Sequence, residues 1–309
     1  MRKAAKIVIY VILALCVLTT VGLILGANYM FAYALDAQFG EGVDIRSYEA
    51  LPGSAEEWLV QNSSVEALES HDGLNLKAYF LPASAETNRS VLLVHGYKAG
   101  PLSMAPYARH YHQQGWNVLL PHHRAHGESE GRYIGMGWLE HRDMLGWISR
   151  LVEQAPDAEI VIHGVSMGAA TTMIATGSPQ LPANVKVAIA DCGYSTVTKE
   201  FTHQLKDLFG LPPFPLIPVT SLVTKLKAKY FFSQVDCVAA VAQSKTPTLF
   251  IHGDADDFVP FAMLEEVYQA AACPKEKLVV AGAGHADSRE AAPELYWNKV
   301  DSFVTQFIE

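Results

Sequence analysis

Between the apolar triplet Ile160-Val161-Ile162 and the small pair Ala169-Ala170 the chain reads Gly164-Val165-Ser166-Met167-Gly168. A serine with glycine two places before it and two places after it suits one tight geometry. The backbone leaves a strand, reverses sharply and starts a helix, so close to itself that side chains on the flanking residues would collide. The local order of apolar strand, turn and helix-compatible residues supplies that setting. A serine hydroxyl is a weak nucleophile until a base takes its proton, so the pattern directs attention to a histidine and a carboxylate elsewhere.

Among 12 histidines, His285 stands out. It follows the last apolar strand run, Leu278 to Val280, in the small-residue loop Ala281-Gly282-Ala283-Gly284-His285-Ala286-Asp287. Such a loop can carry an imidazole to the carboxyl edge of a sheet. For the carboxylate there are four choices. Asp254, Asp256 and Asp257 follow the strand Thr248 to Ile251, and Asp191 follows the strand Val185 to Ala190. All four satisfy the chain order Ser, Asp, His, and spacing leaves them open. Negative charge developing on a substrate oxygen needs donors. The backbone N–H of Met167 at the helix start is one, and the turn His95-Gly96-Tyr97 after the strand Val91 to Val94 offers a second at Tyr97. His95 itself is expected to be structural.

From Ser63 onward, short apolar runs alternate with helical stretches. Val65 to Ser70 and Leu74 to Leu81 flank His71-Asp72-Gly73 and predict a hairpin. Further strands are expected at Val91–Val94, Val118–Leu120, Ile160–Ile162, Val185–Ala190, Thr248–Ile251 and Leu278–Val280. Helices are expected at Met104–Gln114, Met136–Gln154, Met263–Ala272 and Ala291–Phe307. This alternation predicts an α/β fold, a mostly parallel mixed sheet with helices on both faces. The rhythm breaks between Gly193 and Ser244, where two helices flank the proline-rich piece Leu211 to Pro218. Residues 193–245 are therefore expected to form either a small cap or a packed crossover.

The N-terminus has its own constraint. Arg2, Lys3 and Lys6 precede an apolar run from Ile7 to Ala27, long enough at about 1.5 Å per residue to span the roughly 30 Å of a bilayer's hydrocarbon core. Residues 1–35 are read as a membrane anchor, 36–62 as a linker and 63–309 as the main domain. Small residues at Ala32 and Ala34 offer the alternative of a cleaved signal peptide and a secreted domain. Cations before the run, and Asp36, Glu41 and Asp44 after it, predict a single-pass protein of the cell membrane with its main domain outside the cytoplasm.

A formal net charge of −9 with no long basic run argues against nucleic-acid binding. The four cysteines are widely separated, and His122, His123 and His126 lack a carboxylate or cysteine at ligand spacing, so neither a metal nor another cofactor is expected.

Taken together, His95-Gly96, the Ser166 turn and the run His252-Gly253-Asp254-Ala255-Asp256-Asp257-Phe258-Val259-Pro260 resemble the α/β-hydrolase superfamily in order and kind, over roughly Val65 to Ile308. The resemblance implies the α/β-hydrolase fold and, in the pattern His-Gly-x-x-Asp-x-x-Val-Pro, the acid at Asp256. Arg124 to Gly131 looks like the family's Arg-x-His-Gly-x-Ser-x-Gly loop, although His122-His123 stands where an aspartate is frequent. Tyr133 to Trp138, the anchor and Asp191 to Ser195 are similar to membrane-associated hydrolases of Gram-positive bacteria. The implied activity is cleavage of a carboxylic ester through an acyl-enzyme by Ser166, His285 and Asp256. A peptidase acting on short peptides and a non-catalytic membrane-anchored interaction protein are the alternatives, and the oligomeric state is left open.

Overall fold

The computed structural model describes residues 2–39 and 53–308; Glu41 and Asp44 lie outside them. Eight strands form one sheet: β1 (Ser64–Glu69), β2 (Asn75–Leu81), β3 (Arg89–Val94), β4 (Asn117–Pro121), β5 (Glu159–Val165), β6 (Val185–Asp191), β7 (Thr248–Gly253) and β8 (Lys275–Val280). Their order is β1-β2-β4-β3-β5-β6-β7-β8. The hairpin β1/β2 and the pair β2/β4 are antiparallel, and every later pairing is parallel. The α/β-hydrolase fold follows.

The central strands are apolar without alternation because helices cover both faces. Val91, Leu92, Leu93 and Val94 are all buried, as are Ile160, Val161 and Ile162. Each such side chain stabilises the fold by about 1.5–3 kcal/mol before the cost of ordering the chain. One face carries α2 (Ala55–Asn62), α3 (Ala105–Gln113) and α11 (Pro293–Val304). The other carries α4 (Glu140–Gln154), α5 (Met167–Thr176), α8 (Cys237–Val241) and α9 (Ala262–Ala270). The short α10 (Ser288–Ala291) leads into α11.

Helix α4 starts four residues later than the periodicity predicts. Met136 and Gly137 hold positive φ angles, which a helix cannot continue through. The Glu140 side chain instead accepts the N–H groups of Gly135 and Gly137 at 2.6 and 2.8 Å. Helix α2 stands within the 36–62 segment, where it packs Leu59 into the core beside α3.

Two further helices, α6 (Val197–Phe209) and α7 (Leu216–Ala228), occupy the segment where the strand-helix rhythm breaks. The N-terminal helix α1 (Arg2–Leu35) is long and apolar enough to cross a membrane. Its side chains from Lys3 to Gly22 are exposed all round. From Leu23 it meets the domain: Ala27, Phe31 and Leu35, four residues apart on one face, are buried. Asp36, just past its end, pairs with Arg132 at 2.8 Å.

Candidate active site

The parallel register aligns the carboxyl ends of the central strands. Val94 pairs with Gly164, Val165 with Asp191 and Gly253 with Val280. The loops after β3, β5, β7 and β8 therefore meet at one edge, where open α/β sheets hold ligands.

Ser166 bridges β5 and α5 at φ 57°, ψ −119°, a conformation that costs a non-glycine residue on the order of 1–3 kcal/mol. The turn persists because the surrounding backbone is packed against it. A Cβ on Gly164 would overlap the Gly168 carbonyl, and one on Gly168 would overlap the carbonyl of Val94.

The Ser166 hydroxyl donates to His285 Nε2 at 2.9 Å, and His285 Nδ1–H donates to Asp256 Oδ2 at 2.8 Å. An ionised carboxylate only accepts, which places the proton on Nδ1 and leaves Nε2 free to take one from the serine. Burial alone would raise the Asp256 carboxyl. Hydrogen bonds from His252, His285 and the Val259 N–H outweigh burial and hold it well below the usual carboxylate range. Asp256 Oδ1 accepts from the N–H groups of Phe258 and Val259 at 3.0 and 2.9 Å.

The other aspartates have other work. Asp254 accepts from the Gly282 N–H at 2.6 Å, and Asp257 is exposed. Asp191 is fully buried and accepts from the Tyr296 hydroxyl at 2.8 Å. Burial pushes its carboxyl up to about 6. Of the four, Asp256 is the one hydrogen-bonded to His285.

The turn after β3 presses on the serine: a Cβ on Gly96 would lie 3.3 Å from Ser166 Cβ. Tyr97 and Met167 flank that contact, and among the described residues neither N–H donates to another backbone group outside regular elements. The turn is held by neighbouring imidazoles, a role that the sequence reading extends only to His95. His95 Nε2 accepts from the His123 N–H at 3.1 Å, and His123 Nε2 donates to the His95 carbonyl at 3.1 Å. His126 Nε2 accepts from the Lys98 N–H at 3.2 Å. Burial lowers all three rings, His123 to about 3 and His126 to about 4, so they stay neutral and keep their acceptor nitrogens. His123 thus supplies loop bonding in place of the aspartate frequent there in the family. Arg124 next to it is fixed by Asp143 at 2.6 Å and Asp72 at 2.9 Å.

Two sets of possible metal-ligand atoms cluster within 4.8 Å among the described residues: Cys192, Asp256 and His285, and His71, Asp72 and Asp143. In the first, burial pushes the thiol well up and so favours its neutral form. In the second, Arg124 already occupies both carboxylates.

Ser166 opens onto an apolar cavity of about 280 Å³. Its walls come from α6 (Phe201, Leu205), α7 (Ile217) and, unforeseen from the sequence, the end of α1 (Met30, Tyr33). Tyr97 ties that helix end to the site by donating its hydroxyl to the Ala34 carbonyl at 2.7 Å. Lys98, Glu200, Gln204 and Thr220 bring polar groups to an otherwise largely apolar lining. Glu200 on α6 is 3% exposed, accepts from Gln204 at 3.0 Å and, among the described residues, leaves Oε2 without a partner. Burial pushes its carboxyl up to about 8. Its sequence signal is a carboxylate set into the apolar stripe of Val197, Phe201 and Leu205.

Residues 85–211 match the family model described as serine aminopeptidase, S33. The chain is 29% identical to the protein YqkD of Bacillus subtilis strain 168 over 75% of this chain and 76% of that one. It is 25% identical to a thermostable monoacylglycerol lipase of Bacillus sp. strain H-257, over 61% of this chain and 79% of the lipase. An esterase of Pyrococcus furiosus superposes with a TM-score of 0.69 at 21% identity, covering 85% of this chain and 98% of the esterase. With its sheet order, strand-edge site and these similarities, the chain carries the α/β-hydrolase fold and is similar in sequence to hydrolases of that superfamily.

Proposed function

We propose that the chain is a serine hydrolase that cleaves a carboxylic ester through an acyl-enzyme. Ser166 attacks the carbonyl carbon while His285 takes its proton, and Asp256 orients and stabilises the imidazolium. The N–H groups of Tyr97 and Met167 receive the oxyanion. The alcohol leaves with the proton from His285, and water then enters by the same route to release the acid. Helices α6 and α7 serve as the cap. The observation that carries this reading is the Ser166–His285–Asp256 hydrogen-bond chain opening onto an apolar cavity.

Labelling with a fluorophosphonate probe tests it. The wild type should label covalently, and Ser166→Ala should lose the label while keeping its thermal unfolding profile. An unlabelled wild type, or equal labelling of the variant, overturns the assignment.

Glu200 favours a second reading, a peptidase in which its free oxygen meets a substrate ammonium. The two readings separate by pH and substrate. With a neutral ester, Glu200 is protonated below about 8 and charges above it, which disfavours an acyl chain in the cavity. Ester kcat/KM should then fall through that range, and Glu200→Gln should remove the fall. On the peptidase reading, the same variant selectively raises KM for aminoacyl amides. Stability gives an independent check. A carboxyl raised from 4.5 to about 8 contributes stability that is complete below 4.5 and lost as pH rises through 8. The Tm advantage of Glu200→Gln over wild type should therefore grow between pH 4 and pH 8.

A further inference from the structure

The apolar run of α1, Ile7 to Ala27, covers about 30 Å at helical rise, the thickness of a bilayer's hydrocarbon core. The helix begins to bury its side chains against the domain at Leu23, close to the end of that length. The level at which α1 meets the domain is therefore the level of the membrane boundary, and whatever flanks α1 there faces lipid.

What flanks it is α7 and the loop before it. A Cβ on Gly26 would lie 3.7 Å from Leu216 Cδ1, so the start of α7 sits beside a residue still within the apolar run. Further along, Lys227 Nζ lies 5.0 Å from the centre of the Phe31 ring. The stretch from Gly210 to Pro218 contains no charged residue, and Phe214 within it is 77% exposed. Leu222 and Leu226, one helical turn apart on α7, are 52% and 66% exposed. A contiguous apolar edge of this kind on a soluble surface marks an interaction site. Its continuity with a membrane-length helix identifies the partner. Lys225, Lys227 and Lys229 near the end of α7 suit the headgroup layer, where long cationic side chains keep their charge in water.

This edge also leads inward. Leu208 on α6 is 55% exposed and lines the cavity that reaches Ser166. Met30, Tyr33 and Ala34 of α1 form the facing wall.

We propose that the α6–α7 edge, with Phe214, Leu222 and Leu226, is immersed in the lipid leaflet around the end of α1, and that an acyl ester reaches Ser166 from that leaflet between α1 and α6. The substrate class, an amphiphile with an acyl chain held in the bilayer, rests on the serine-hydrolase reading; the immersed edge does not.

The experiment uses the full-length chain in phosphatidylcholine vesicles. Phe214→Glu, Leu222→Glu and Leu226→Glu are combined, since none of these side chains lines the cavity. Hydrolysis of monooleoylglycerol carried in the vesicles should fall tenfold or more, while hydrolysis of dissolved p-nitrophenyl acetate stays within twofold. Equal rates on both substrates, for variant and wild type, overturn the proposal. Direct immersion is read separately with Phe214→Trp in vesicles of bromine-labelled phosphatidylcholine, compared with the parent chain. Extra quenching from the new indole supports immersion even if the triple variant does not fold. No extra quenching overturns it, as expected if the edge receives a protein instead. A wild type that labels with no fluorophosphonate and cleaves neither ester sinks the hydrolase reading alone, because the quenching measurement is independent of it.

Discussion

With Asp256 replaced by asparagine, ester turnover should fall by about three to four orders of magnitude while the fold stays intact. The amide can neither carry the negative charge that stabilises the imidazolium nor favour the proton on His285 Nδ1. KM should change little, because Asp256 makes its bonds to His285, His252 and the backbone, and is absent from the cavity wall. Asp191→Asn is the companion measurement. The Asp191 carboxylate is bonded to Tyr296 of α11 and not to His285, so its loss should leave kcat within about tenfold and act mainly on stability. Steady-state kinetics on one short ester decides between them. If Asp191→Asn shows the larger drop in kcat, the orienting role moves to Asp191.

The second large effect is on folding. Gly168→Ala adds a single methyl group where the Val94 and His95 carbonyls already stand, and rigid backbone on both sides cannot yield cheaply. The expected cost is about 3 kcal/mol or more, enough to abolish soluble expression or lower Tm by many degrees. Gly100→Ala is the control. Its φ of −145° is ordinary, nothing lies within 4 Å of the added Cβ, and its effect should stay within about 0.5 kcal/mol. Thermal unfolding of the two proteins side by side checks the contrast, and similar Tm values would mean that the turn is not packed as tightly as described.

The parts of the fold legible in the sequence are those whose signal is local. Strands β3, β5, β6 and β7 are largely buried, so each carries an apolar run: Val91 to Val94, Ile160 to Ile162, Val187 to Ala190 and Leu249 to Ile251. The Ser166 turn carries its own glycines. The start of α4 was illegible because the residues that break it, Met136 and Gly137, do so through backbone conformation, and the cap arrives from Glu140 inside the predicted helix. Spacing could not rank Asp254, Asp256, Asp257 and Asp191, because what separates them is where β7 and β8 end in space. The resemblance to a family pointed to Asp256, and the hydrogen bonds bring that residue to His285. Glu200 and the α1 residues at the cavity depend on how α1, α6 and α7 meet. No periodicity encodes that meeting.

The bond between Tyr97 and the Ala34 carbonyl bears on any effort to prepare this protein without its apolar leader. A soluble fragment starting at Leu35 would lose Met30, Tyr33 and Ala34 from the cavity, Ala27 and Phe31 from the core, and the acceptor that steadies the loop carrying the Tyr97 N–H. Proteolytic release after Ala34 would have the same outcome: the liberated domain would have a breached apolar cavity and a loosened loop beside Ser166. Shedding and activity are therefore in opposition in this architecture, and detergent-solubilised full-length chain is the form in which its selectivity should be measured.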